Sequence, residues 1–356
     1  MSSSSKQGKI AIVGSHELIR KLCCAPINRY RNITLSRLVY RSADVICIFS
    51  GLIGQSWSMI FASVGYHVTI YDVDPGQLVR AQKNIKETVQ AYKEKGYLRG
   101  KVSADEQITL VSATSSLKEC IEGVIYIQEC VPENLELKKK VLGEIDEIVG
   151  EEVIIASSTS CLTPSSMTEH FKHRHNMVVA HPINPPYFVP LVEIVPAPWT
   201  SQDTLKKTRE LMEEIGQSPV TLRRECPGFA VNRIQYAAIN ECWNMYKSGL
   251  LSAADIDKVM TDGLGMRYAF IGVLETMHLN ADGIVDYCKR YAEGAYNVQK
   301  ATSIPPPILY DVQTAEEIQN EFTSSIPVDK VADRRKWRDG RLAAISKLKR
   351  DLAQKE

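Results

Sequence analysis

The chain has 356 residues, 43 basic and 42 acidic, with a formal charge of +1, 44% apolar and 24% charged residues. That composition excludes disorder as the main state and supplies enough apolar side chains for a sizeable core. The balanced charge excludes a general pull toward nucleic acid or anionic membrane, and no run approaches the ~18 apolar residues of a spanning helix.

The Ser-rich start, residues 1–9, lacks the apolar stretch of a secretory signal. The nine cysteines form no CxxC pair and no cluster with zinc spacing. A cytoplasmic protein with reduced thiols and no metal site is expected. Residues 16–50 carry six bases against two acids, so without them acids outnumber bases over the rest of the chain.

In chain order, β-branched runs predict strands over Lys9–Val13, His67–Tyr71, Gly123–Gln128, Val153–Ala156, Met177–Ala180 and Leu191–Val195. Helical periodicity between them predicts helices over Gly51–Val64, Pro75–Lys95, Leu135–Ile148 and Asp203–Ile215. Strand–helix alternation implies a parallel sheet with crossover helices, an α/β fold of the Rossmann type. Beyond Cys226 the pattern turns helical, with helices expected over Pro227–Tyr246, Ser252–Asp262, Asn280–Ala292 and Thr314–Phe322. We therefore divide the chain into an α/β dinucleotide domain, 1–224, and a mostly α-helical C-terminal domain, 225–356. The basic tail beyond Lys330 reads as a solvated amphipathic helix.

The run Lys9–Val13 ends in Gly14-Ser15, and Gly51-Leu52-Ile53-Gly54 opens a helix. Joined, they spell the GxGxxG turn, in which glycines allow a tight bend and close approach of backbone to a pyrophosphate at a helix N-terminus. Asp72 closes the next strand about 20 residues past Gly51, where a carboxylate accepts from ribose hydroxyls and repels a 2′-phosphate. This pattern predicts NAD, held by Gly14, Gly51, Leu52, Ile53, Gly54 and Asp72. Residues 16–50 interrupt the turn, and two threadings follow. In one, Lys9–Val13 is the first strand and the insertion bulges out. In the other, Val45–Phe49 is the first strand and Phe49 replaces the first glycine. We favour the first, because a bulky residue suits a tight turn badly. Under either, NAD affinity is expected to suffer.

His181 ends a strand and opens a Pro/Asn-rich loop, where open α/β sheets place functional groups. Its imidazole suits a general base for a hydroxyl proton. Glu193 follows on the next strand-like run; a returning strand would set its carboxylate beside the ring as an orienter. Ser160 follows a buried-looking strand, with a cap on the next helix as the alternative reading. Asn232 is a polar residue of mediocre propensity inside a helix. Arg267 could fork onto a substrate carboxylate.

These stretches carry a resemblance: Gln128-Glu-Cys-Val-Pro-Glu-Asn134, Ser157-Ser-Thr-Ser-Cys-Leu162, Ala180-His-Pro-Ile-Asn-Pro-Pro186, Pro227-Gly-Phe-Ala-Val-Asn-Arg233 and Gly263-Leu-Gly-Met-Arg-Tyr-Ala-Phe-Ile271. In that order they resemble the 3-hydroxyacyl-CoA dehydrogenase superfamily, and within it the branch that oxidises L-gulonate at its 3-hydroxyl. The resemblance implies a His181–Glu193 dyad, Ser160 on the substrate oxygen, and Asn232 positioning substrate. It also implies Glu133 and Lys138 around the nicotinamide ribose and adjoining phosphate. It implies a small hydroxy acid as substrate and a homodimer through the helical domain. A structural protein with a broken cofactor turn, and a dehydrogenase of acyl-CoA substrates, are the alternatives.

Overall fold

The computed structural model describes residues 44–48, 51–302, 312–323 and 327–354. Eight strands form one sheet: β1 (Asp44–Ile48), β2 (His67–Tyr71), β3 (Val111–Thr114), β4 (Val124–Glu129), β5 (Ile154–Ser157), β6 (Met177–Pro182), β7 (Leu191–Pro196) and β8 (Ser218–Thr221). Their spatial order is β3-β2-β1-β4-β5-β6-β7-β8. Every neighbouring pair is parallel except β6–β7, which is antiparallel. The order reverses between β1 and β4, the switch point at which doubly wound sheets open a ligand crevice along their carboxyl edge.

The first strand corrects the threading favoured from sequence. Asp44–Ile48 occupies the central place between β2 and β4, with Val45 and Cys47 fully buried. Lys9–Val13 and Gly14 lie outside the described residues. The physical reason is connection length. Helix α1 (Leu52–Ala62) begins four residues after β1, the usual reach of a βα turn, whereas the other threading needs a long structureless loop. Burial of Cys47 pushes its thiol up to about 12.

The sheet is apolar on both faces, as parallel strands covered by helices must be. On one face Val45, Cys47, Ile70, Tyr126, Ala156, Ala180 and Ile194 pack with Trp57, Ile60 and Phe61 of α1 and Leu78, Ala81 and Ile85 of α2 (Pro75–Glu94). On the other, Ile127, Ile155, Val179 and Val195 pack with Val141, Leu142 and Ile145 of α5 (Leu135–Asp146). The strand period of two assigns residues to faces, so His181 and Glu193 fall on the same side as Val179 and Val195. Short helices α3 (Ala104–Thr109), α4 (Leu117–Ile121) and α6 (Pro164–Thr168), with α7 (Gln202–Glu214), complete the crossovers. Ser103, Ser116, Asn134 and Ser201 cap four of them by accepting from the first turn.

The chain divides into two compact units, one running to Ala230 and resuming at Arg341, the other spanning Val231–Gly340. The junction thus lies a few residues past the division made from sequence. The tail also differs from expectation. Ala343 of α14 (Val331–Ala353) is buried against the first unit's core, so this helix is not solvated all round. The second unit holds α8 (Val231–Lys247), α9 (Ala253–Lys258), a π-helical turn (Val259–Leu264), α10 (Gly265–Tyr268), α11 (Val273–Leu279), α12 (Ile284–Thr302) and α13 (Val312–Thr323). No described helix is long and apolar enough to cross a membrane.

If Asp44–Ile48 is the central strand, Val45→Asp buries an unpaired charge and abolishes the cooperative unfolding transition, read by circular dichroism. The same change at Ile12 serves as the control. Loss of the transition there, with Val45→Asp tolerated, would restore Lys9–Val13 as the strand.

Candidate active site

The carboxyl edge of the sheet gathers most of the residues singled out from sequence. α1 starts at Gly51, with no acidic residue in its first turn and no side-chain cap on its free N–H groups. Leu52 is exposed, Ile53 half-buried and Gly54 buried, its carbonyl accepting from Ser58 Oγ at 2.8 Å. A Cβ added at Gly51 would meet no atom of the described residues within 4 Å. Asp72 directly follows β2, is 5% exposed, and accepts the Asp74 N–H at 3.0 Å. An uncapped helix N-terminus beside a strand-end carboxylate fits a dinucleotide: partial positive charge for the pyrophosphate, a carboxylate for the ribose.

His181 and Glu193 face each other across β6 and β7 in direct register. His181 Nδ1 lies 2.8 Å from Glu193 Oε2, and Glu193 is fully buried. The antiparallel pairing causes this: β6 ends on the carboxyl edge, and β7 starts there. Glu193 Oε1 accepts the Ala230 N–H at 2.7 Å, and the Phe229 ring sits 5.7 Å from the imidazole. A carboxylate facing Nδ1 assigns the ring proton to that nitrogen and leaves Nε2 as the proton acceptor.

The loop after His181 is tied down by Arg99, a residue that sequence reasoning passed over. Its backbone N–H donates to Tyr187 Oη and its Nη1 to the Tyr187 carbonyl, both at 2.9 Å, while Nη2 reaches the Gly216 carbonyl at 2.6 Å. Burial lowers this guanidinium to about 10. Tyr187 and Phe188 enter the core, so the chain leaving the dyad is fixed within a few residues. Nothing in the local sequence Tyr97-Leu-Arg-Gly100 signals this clamp.

Ser160 lies beyond β5, which is hydrogen-bonded to β6. Glu133 Oε1 accepts from Thr159 Oγ1 at 2.5 Å and from the Ser160 and Cys161 N–H groups at 3.1 Å each. Glu133 thereby shapes the serine loop. Lys138 is buried beside Glu129. Its ammonium is 1% exposed and donates to both Glu129 oxygens, at 3.0 and 3.2 Å, and to the Val131 carbonyl at 2.9 Å. It stands 3.7 Å from Glu133 Oε2. The ammonium thus bridges buried Glu129 and the Glu133 carboxylate and braces the turn that carries Glu133. Glu129, which also accepts from Ser157 Oγ and the Val131 N–H, was legible only as part of a longer motif.

Asn232 and Arg267 are carried by the second unit. Asn232 is buried in the first turn of α8 and Arg267 is exposed on α10. Neither is among the residues that the sheet edge itself assembles.

Comparison with known proteins matches residues 44–226 to a family described as 3-hydroxyacyl-CoA dehydrogenase, NAD binding domain, and residues 228–309 to its C-terminal domain. The first match begins at β1 as described here. The chain is 47% identical to lambda-crystallin of Oryctolagus cuniculus, over 87% of this chain and 98% of that protein. It is 36% identical to an L-carnitine dehydrogenase of Nocardiopsis dassonvillei, over 66% of this chain and 70% of that one. A solved FHMPC 5-dehydrogenase, described as an NAD+-dependent dismutase, shares the fold with a TM-score of 0.73 at 22% identity, covering 87% and 98% of the two chains.

Lys138→Met leaves Glu129 buried without its cation and should cost about 3–5 kcal/mol of stability, read from the urea midpoint. Adding Glu129→Gln should recover most of that loss. An unchanged midpoint in the single variant would contradict the brace.

Proposed function

We propose that this chain, which belongs to the 3-hydroxyacyl-CoA dehydrogenase family and is an NAD-dependent dehydrogenase, oxidises the 3-hydroxyl of a free hydroxy acid, L-gulonate, to the 3-keto acid. The observation that carries the reading is the His181–Glu193 pair at 2.8 Å on the carboxyl edge of the sheet.

Bound NAD supplies the hydride acceptor. The chain's own residues do the rest. Nε2 of His181 takes the hydroxyl proton as hydride leaves the same carbon, and the imidazolium so formed is offset by Glu193. The Ser160 hydroxyl donates to the substrate oxygen as it becomes a carbonyl. Asp72 accepts from the adenosine ribose and disfavours a 2′-phosphate. The uncapped start of α1 holds the pyrophosphate.

One comparison supports a free acid over an acyl-CoA. The L-carnitine dehydrogenases are named for a 3-hydroxy acid that carries no CoA. A homodimer through the second unit belongs to the same reading. Its support is the exposed apolar side chains of that unit, among them Leu250, Met266, Phe270 and Leu274.

His181→Gln should abolish NADH formation from L-gulonate while keeping the melting transition and sedimentation at twice the 39.9 kDa chain mass. Turnover retained in that variant would sink the catalytic assignment. Faster turnover of a 3-hydroxyacyl-CoA than of L-gulonate by the unaltered chain would sink the substrate.

A further inference from the structure

The dyad has a third member that is not a side chain. Residues Cys226-Pro-Gly-Phe229 form a tight turn: the Phe229 N–H donates to the Cys226 carbonyl at 3.1 Å, and Gly228 has φ +71°. Proline then glycine at the two central positions, with positive φ at the glycine, is the signature of a type II turn. The chain does not relax after it. Phe229 has φ +51°, the only non-glycine residue in the left-handed region among those described. A bulky aromatic pays for that conformation, and it persists only where the surroundings hold it. Here they do: the Phe229 side chain is fully buried against Val179, Val195 and their neighbours, and Cys226 Sγ lies 3.6 Å from its carbonyl oxygen. The consequence falls on the next residue, whose N–H points at Glu193 Oε1 from 2.7 Å.

We propose that the backbone N–H of Ala230, aimed by the left-handed Phe229, is a positioning element of the catalytic dyad: it holds Glu193 ionised and turned toward His181 Nδ1. The proposal rests on the dehydrogenase reading of that dyad. Its chemistry is simple. A donor on one carboxylate oxygen stabilises the charge and fixes the rotamer, so the other oxygen presents itself to the imidazole. The groups around the pair introduce few rivals. β8 contributes no titratable side chain, and the turn contributes Cys226. Arg223 and Arg224 are exposed, and Glu225 accepts the Ser165 N–H at 3.0 Å.

Two experiments on the full chain test this. With alanine selectively labelled by 15N, the Ala230 amide shift should follow the same midpoint as the His181 ring and stop following it in Glu193→Gln. An amide that stays flat while the ring titrates overturns the proposal. Replacing Ala230 by lactic acid through nonsense suppression removes the N–H and keeps the methyl group. The acid limb of kcat/KM for the hydroxy acid should then move to lower pH, less far than in Glu193→Gln, with about a tenfold loss on the plateau and NAD affinity unchanged. A loss equal at every pH, or no loss, overturns the proposal. The amide titration needs no turnover, so it stands or falls separately from the substrate assignment.

Discussion

The antiparallel return of β7 against β6 is the constraint on which the site depends. In an all-parallel sheet, residues at the carboxyl edge come from strand ends and face solvent or ligand. Here one strand reverses, and a carboxylate from its start meets an imidazole from its predecessor's end in direct register. A one-residue slip would turn Glu193 to the opposite face, among Val192 and Ile194. Register is held by the apolar alternation of both strands, so the packing of the core and the geometry of the chemistry are one specification.

Charge placement follows the same logic. Two carboxylates are fully buried near this edge, and each is compensated: Glu193 by His181 and a backbone donor, Glu129 by Lys138, Ser157 and a backbone donor. Burying an ion is costly unless its oxygens are filled, and both pairs span separate elements. Glu129 and Lys138 join β4 to α5 and thereby place Glu133, which in turn holds the Ser160 loop by three hydrogen bonds. A chain of charge-assisted contacts thus runs from the buried sheet to the serine that faces substrate in the proposed reaction.

Much of this was legible in the sequence, because period-two and period-3.6 patterns survive in five of the six expected strands and in the four first-unit helices. The dyad was legible too, since a strand-ending histidine and an acid on the next strand can meet only if that strand returns. The first strand was not. Lys9–Val13 and Val45–Phe49 are both apolar β-branched runs, and weighing the missing glycine above the length of the connection chose the other one. The strands β3 and β8 escaped notice because Val111–Thr114 and Ser218–Thr221 are short and polar, the two end strands of the sheet among the described residues. Sequence could not say that Lys138 would be buried beside an acid nine positions earlier. The Arg99 clamp and the Ala230 donor depend on backbone groups, which every residue possesses and no composition reveals.

In the proposed reaction Glu193 orients His181, the base that takes the hydroxyl proton as hydride leaves the carbon. The most direct test is the pH dependence of kcat/KM for NADH formation in Glu193→Gln against the unaltered chain. Removing the carboxylate destabilises the imidazolium, so the acid limb should move to lower pH while the rate falls about 10²-fold. An unchanged rate with an unmoved limb would contradict the account.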